Sequence, residues 1–114
     1  MRPEAGTAVC DLGDIPDGGG RLFDFGEGKA AFRMLILRSG EQCYGYVNRC
    51  PHFGVPLAEC DEQLITVSHR TVKCNVHYSR FRWQDGLCDE GECVGESLQA
   101  VPLAVVAGAV RMDG

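Results

Sequence analysis

The sequence predicts an all-β fold, an antiparallel sandwich or barrel of short strands. Three observations point there. No stretch repeats its apolar residues at helical spacing. Turn chemistry recurs at short intervals, with 15 glycines and 5 prolines among 114 residues. Between the turns lie short runs that alternate or are apolar throughout, the mark of many short strands.

Taken in order, residues 1–6 read as a loose arm, and residues 7–12 (TAVCDL) alternate as a first strand. Residues 14–20 (DIPDGGG) are turn chemistry, since glycine reaches positive φ at little steric cost. No Gly-Lys-Ser/Thr ending follows to make a phosphate loop. Residues 21–25 form a second strand, with Leu22 on the face opposite Phe23 and Phe25. Residues 26–31 (GEGKAA) fit G-x-G-x-x-A superficially, but a dinucleotide site needs a helix next. Residues 32–38 (FRMLILR) read instead as a strand apolar on both faces, so the glycines make a hairpin turn. A turn at 39–42 leads into a strand at 43–48 that delivers Cys50.

Residues 59–63 close the loop after Cys50. A hairpin of 64–67 and 71–73 around Ser68, His69 and Arg70 delivers Cys74, with His69 a solvated turn residue. Residues 80–83 read as a strand with Trp83 in the core, and Gln84-Asp85-Gly86 as a hairpin turn. Residues 88–97 read as an acidic, glycine-containing loop, followed by a proline-bearing segment at 98–103. A closing hairpin, 103–107 and 109–112, turns at Gly108.

Length and composition bound the function. The 114 residues fit one domain, residues 1–114. Hydrophobic residues at 45% argue against global disorder. A net charge of −5 argues against nucleic acid and against an anionic membrane surface, because no basic surplus exists to displace counterions. The longest apolar run, 101–110, contains Pro102 and Gly108 and is about half the length of a membrane span. The opening Met-Arg-Pro-Glu leads into no apolar signal region, so the expected location is the cytoplasm. Seven cysteines would fit a disulfide framework in a secreted chain. Here Cys10, Cys43, Cys60, Cys88 and Cys93 are expected to be buried or partly buried thiols of a reducing compartment. Cys88 and Cys93 lack two further ligands nearby for a second metal site.

The chemistry concentrates in two short stretches, Cys50-Pro51-His52 and Cys74-Asn75-Val76-His77. Each supplies one thiolate and one imidazole. Two sulfur and two nitrogen ligands suit a tetrahedral zinc or an iron–sulfur centre. A two-Cys, two-His zinc finger places both cysteines before both histidines. Here the order alternates, C-x-H, then 21 residues, then C-x-x-H. Alternation fits a two-iron centre in which the cysteines bind one iron and the histidines the other.

The runs CPHFGVPL from Cys50 and CNVHYSRF from Cys74 resemble the two cluster-binding loops of Rieske [2Fe–2S] proteins, most of all the small Rieske-type ferredoxins. The resemblance extends from Val9 to about Met112. It implies an antiparallel Rieske-like β-sandwich with a cluster-binding subdomain at one tip. It also implies one [2Fe–2S] cluster, with Cys50 and Cys74 on the buried iron and His52 and His77 on the outer one. Members of respiratory and photosynthetic complexes carry an extra cysteine in each loop, joined as a disulfide. Val55 and Val76 stand at those positions, so that bridge cannot form. Phe81 stands where those members have a tyrosine donor, while Ser79 matches the serine that donates to a bridging sulfide. Fewer donors to sulfur lower the potential, toward roughly −150 mV. Tyr78 replaces a glycine common in relatives; it either imposes a different loop backbone or covers the cluster.

Histidine ligation also has an electrostatic consequence. Two ferric ions, two sulfides and two thiolates sum to a neutral oxidised core, against minus two for an all-cysteine cluster, so an electron is added more easily. The charge gained on reduction should raise the proton affinity of His52 and His77. A potential that falls with rising alkaline pH is therefore expected. Arg49, Arg80 and Tyr78 flank the ligands as either a docking rim or ordinary solvated groups. Phe53, Val55, Pro56 and Leu57 would roof the cluster and, if exposed, form a small apolar contact patch.

The resemblance implies a one-electron carrier between a flavin-dependent reductase and a terminal oxygenase component, and no stand-alone enzyme. Two alternatives remain: a small electron-transfer subunit of a larger redox enzyme such as a nitrite reductase, or a zinc-stabilised interaction module.

Overall fold

The structure, a computed structural model, describes residues 3–26, 28, 31–51, 54–74 and 79–113. It is antiparallel β throughout. The strands are β1 (Ala8–Asp11), β2 (Gly20–Phe25), β3 (Phe32–Ser39), β4 (Gln42–Val47), β5 (Ile65–Val67), β6 (Thr71–Lys73), β7 (Arg80–Arg82), β8 (Cys88–Glu90), β9 (Ala100–Val101), β10 (Leu103–Val106) and β11 (Ala109–Met112). They form three sheets, ordered β1-β11-β10, β2-β3-β4-β9 and β5-β6-β7-β8. Short 3-10 turns at Leu12–Asp14 and Asp61–Gln63 complete the regular structure among the described residues.

β3 is the central strand. Four of its residues, Met34, Leu35, Ile36 and Leu37, are fully buried. Side chains alternate along a strand, so the run apolar on both faces divides between two clusters. Leu35 and Leu37 enter one, with Phe81, Trp83 and Val72. Met34 and Ile36 enter the other, with Ile15, Val101 and Val110. β2 obeys the same division: Leu22 packs on the first cluster, Phe23 and Phe25 on the second. The hairpin expected around 26–31 is present as β2 pairing antiparallel with β3, Phe25 opposite Phe32. Glu27, Lys29 and Ala30 lie outside the described residues.

Several expectations need correction. The arm is tied down at Gly6, whose N–H donates to the Met112 carbonyl at 2.7 Å. Residues 88–97 are not only loop: Cys88–Glu90 forms β8 against β7, and Leu87 bridges Ser97. The proline-bearing segment contributes β9, which pairs with β4 through Gly45 and Tyr46. A Cβ on Gly45 would come within 2.7 Å of the Val101 carbonyl, so a bare backbone admits β9 there. Cys60 is exposed, not buried. Leu57 is fully buried and belongs to the first core cluster, so it cannot contribute to a surface patch.

Candidate metal centre

Cys50 follows β4 after Asn48 and Arg49. Its backbone closes the loop it begins: the Cys50 N–H donates to the Val55 carbonyl at 2.7 Å, and the Gly54 N–H donates to the Cys50 carbonyl at 2.8 Å. Cys74 follows β6 and repeats the device, its N–H donating to the Ser79 carbonyl at 2.9 Å. In both loops a cysteine N–H reaches the carbonyl five residues on. Both thiols are fully buried and belong to one continuous core cluster, the one with Leu35, Phe81 and Trp83. His52 and His77, the expected nitrogen ligands, lie outside the described residues, as do Phe53, Asn75, Val76 and Tyr78.

Asn48 holds the first loop shut. Its side chain is buried; Nδ2 donates to the Ala58 carbonyl at 2.9 Å, and Oδ1 accepts from the Leu57 N–H at 2.9 Å. The end of this stretch is anchored to β2, where the Leu22 N–H donates to Asp61 Oδ1 at 2.8 Å. The second loop is braced by residues 88–98. Gly91 adopts φ +108°, and a Cβ there would lie 2.8 Å from both the Cα and the Oγ of Ser79. Only glycine lets that backbone rest on Ser79.

Two side chains near the sulfurs were not legible as site residues. Cys93 is fully buried, with its Sγ 3.6 Å from Cys50 Sγ. Cys88 instead donates its thiol to the Glu90 carbonyl at 3.3 Å, and burial pushes its pKa up. Among the described residues, only Cys93 of the two places its sulfur against Cys50. No disulfide joins any of the seven cysteines, all of which lie among the described residues. Ser79 Oγ is buried and has no hydrogen-bond partner among the described residues. Thr71 Oγ1 and Trp83 Nε1 share that condition. Ser79 differs from them in being joined through its carbonyl to Cys74.

These features fit an iron–sulfur group. Two buried sulfurs make a soft donor set, and a buried hydroxyl without an acceptor is costly unless a ligand supplies one. Thiolates and sulfides are such acceptors.

The flanking charges are less free than the sequence implied. Arg80 is paired with Asp89 (2.8 Å) and Glu90 (3.2 Å), which hold its pKa above the ordinary arginine value. Arg49 is exposed, with its guanidinium beside Gly54. His69 sits in the β5–β6 turn as expected, exposed, bonded through Nδ1 to Ser39 Oγ at 2.7 Å and tilted against the Trp83 ring. Trp83 is fully buried in the core. No helix among the described residues is long and apolar enough to cross a membrane.

Comparison with known proteins gives one family and one fold. The model of the Rieske [2Fe-2S] domain family matches residues 6–106. No curated protein matches the chain. Among solved structures, the ferredoxin of carbazole 1,9a-dioxygenase from Nocardioides aromaticivorans IC177 superposes with a TM-score of 0.73 at 19% identity, over 96% of this chain and 98% of that one. A chain from the complex of reduced oxygenase and oxidized ferredoxin in carbazole 1,9a-dioxygenase gives 0.76 at 22% identity, over 98% and 95%. The terminal oxygenase of carbazole 1,9a-dioxygenase from Novosphingobium sp. KA1 gives 0.76 at 18% identity, over 96% of this chain and 30% of that one. At these identities the likeness is one of fold.

Proposed function

Because the chain belongs to the Rieske [2Fe–2S] domain family, which binds one [2Fe–2S] cluster, we propose that it is a one-electron carrier. In this reading residues 1–114 act as one Rieske domain. Cys50 and Cys74 hold the inner iron, and His52 and His77 the outer one. The observation that carries it is the matched pair of loops. Each begins with a fully buried cysteine whose N–H closes the loop five residues on. When bound, the group accepts and releases single electrons at a potential set by its ligands and by donors to its sulfurs.

The chain's own residues do the rest. Phe81 and Trp83 exclude water from the inner sulfurs. Asn48 and Asp61 hold the first loop against the sheet. Ser79 offers its hydroxyl from the second. The partners follow by analogy. The similar solved structures include a ferredoxin crystallised with an oxygenase, so the electron acceptor is proposed to be a terminal oxygenase component. The donor is proposed to be a flavin-dependent reductase. The chain then serves as a component of an oxidoreductase system and not as an enzyme by itself. Thiols kept in the core at Cys88 and Cys93 suit a reducing cytoplasm.

The test is electron paramagnetic resonance with a redox titration of the protein as isolated. A reduced [2Fe–2S] signal is expected, lost when His52 and His77 are both replaced, with a potential that falls as alkaline pH rises. A colourless, zinc-loaded protein would overturn the reading. Stable co-purification with a large catalytic chain would move it to an enzyme subunit.

A further inference from the structure

We infer that Cys93 is a positioning residue for the redox centre: its thiol donates to Cys50 Sγ and favours the reduced state. The inference rests on the reading of Cys50 as a cluster ligand.

The contact is specific. The two sulfurs are 3.6 Å apart and both side chains are fully buried. That is far beyond the S–S bond length of about 2.05 Å, and within reach of an S–H···S contact. Nor is Cys93 carried there by a loose segment. The Glu96 N–H donates to the Cys93 carbonyl at 2.8 Å, and the Cys88 N–H to the Glu96 carbonyl at 2.8 Å. Leu87 bridges Ser97 at the base, and Gly91 rests on Ser79 on the way. The 88–98 segment therefore touches both cysteine loops, the first through a sulfur and the second through bare backbone.

Protonation fixes the direction of the bond. Between two thiols either could donate. Once Cys50 is a ligand it is a thiolate and carries no proton, so Cys93 must be the donor. Negative charge on the ligand sulfur grows when an electron is added. A donor to that sulfur therefore stabilises the reduced state more than the oxidised one. This chain has phenylalanine at position 81, which offers no donor, and Ser79 is aligned with the other loop. Cys93 supplies a donor on the Cys50 side.

The competing role is space filling, since buried cysteine packs as a small hydrophobe. Three variants of the holoprotein separate the two: C93A and C93V, which lack a donor, and C93S, which keeps a shorter one. Three quantities are read: midpoint potential, iron per chain, and the shift of the iron–sulfur stretching bands on exchange into D2O. Loss of the donor is expected to disfavour the reduced state by about threefold to tenfold, tenfold being about 59 mV for a one-electron couple. C93S is expected to fall between C93A and wild type, and the D2O shift to shrink in C93A and C93V. Wild-type potentials and D2O shifts in fully loaded C93A or C93V would overturn the inference, as would C93S and C93A moving alike. If C93A fails to hold iron, C93V against C93S decides. A wild-type protein without a [2Fe–2S] signal would instead overturn the carrier reading itself.

Discussion

On one face of β3, Leu35 and Leu37 pack into a cluster that also holds Cys50, Cys74, Cys88 and Cys93. On the other, Met34 and Ile36 pack with Ile15, Val101, Val110 and Met112. The sulfur-bearing face also contains the buried hydroxyl of Ser79, the Trp83 indole N–H and the Tyr46 hydroxyl, which donates to the Trp83 carbonyl. Burial pushes the Tyr46 phenol up to about 12. Cysteines occur beside the second cluster too, as Cys10 and Cys43, but only at its edge. There burial, followed by the nearby Asp14 carboxylate, pushes the Cys10 thiol up to about 11, and burial likewise raises that of Cys43. Such thiols stay protonated and inert at neutral pH. One strand thus separates an apolar core with cysteines only at its edge from a core with four cysteines buried inside it.

The largest effects should come from truncating β3 on either face. Leu35→Ala and Ile36→Ala each remove a fully buried branched side chain, at a cost of about 2–5 kcal/mol. Urea unfolding should show comparable losses for the two. Only Leu35→Ala should lower iron per chain and alter the visible spectrum, because only it opens the sulfur-bearing cluster. Equal loss of iron in both would break the distinction between the faces.

The division between the two cores was legible at β3, where four consecutive apolar residues admit no other arrangement than burial on both sides. It was legible at β2 as well, from Leu22 against Phe23 and Phe25. The turns at 39–42, 68–70 and 84–86 were legible because glycine and polar residues break short apolar runs. β8 and β9 were not: β8 is an acidic run, and β9 offers only Ala100 and Val101 before a proline. Of the proposed centre, ligand order and the flanking residues singled out Cys50 and Cys74. Cys93 was expected to be a buried or partly buried thiol, but nothing in its acidic, glycine-containing stretch ties it to Cys50. Its burial comes from Gly91 meeting Ser79, twelve residues earlier, and only the fold brings those together. Asn48 was read as strand, and its clamp on Leu57 and Ala58 is a contact no periodicity encodes.

That clamp gives the next sharpest test. Asn48→Ala would strand the Leu57 N–H and the Ala58 carbonyl in a buried setting, each of which loses its partner. The cost should be about 1–3 kcal/mol, smaller than for either β3 truncation. It should fall on the first loop, so iron retention during dialysis against a chelator should drop more than the unfolding midpoint implies. Asn48→Asp keeps the acceptor for Leu57 but sets a carboxylate against the Ala58 carbonyl, and should be no better than alanine.

The smallest effect, and the one that separates scaffold from centre most cleanly, concerns Ser79. Its hydroxyl is buried without a partner, so among the described residues of the cluster-free chain it contributes a desolvation cost and no bond. Ser79→Ala should leave the stability of that chain unchanged or raise it by up to about 1 kcal/mol. In the loaded protein the same hydroxyl would donate to sulfur, so the variant should show a lower reduction potential and a weaker hold on the electron. The two readouts must move in opposite senses. A variant that destabilises the cluster-free chain and leaves the potential untouched would mean that Ser79 serves the core and not the centre.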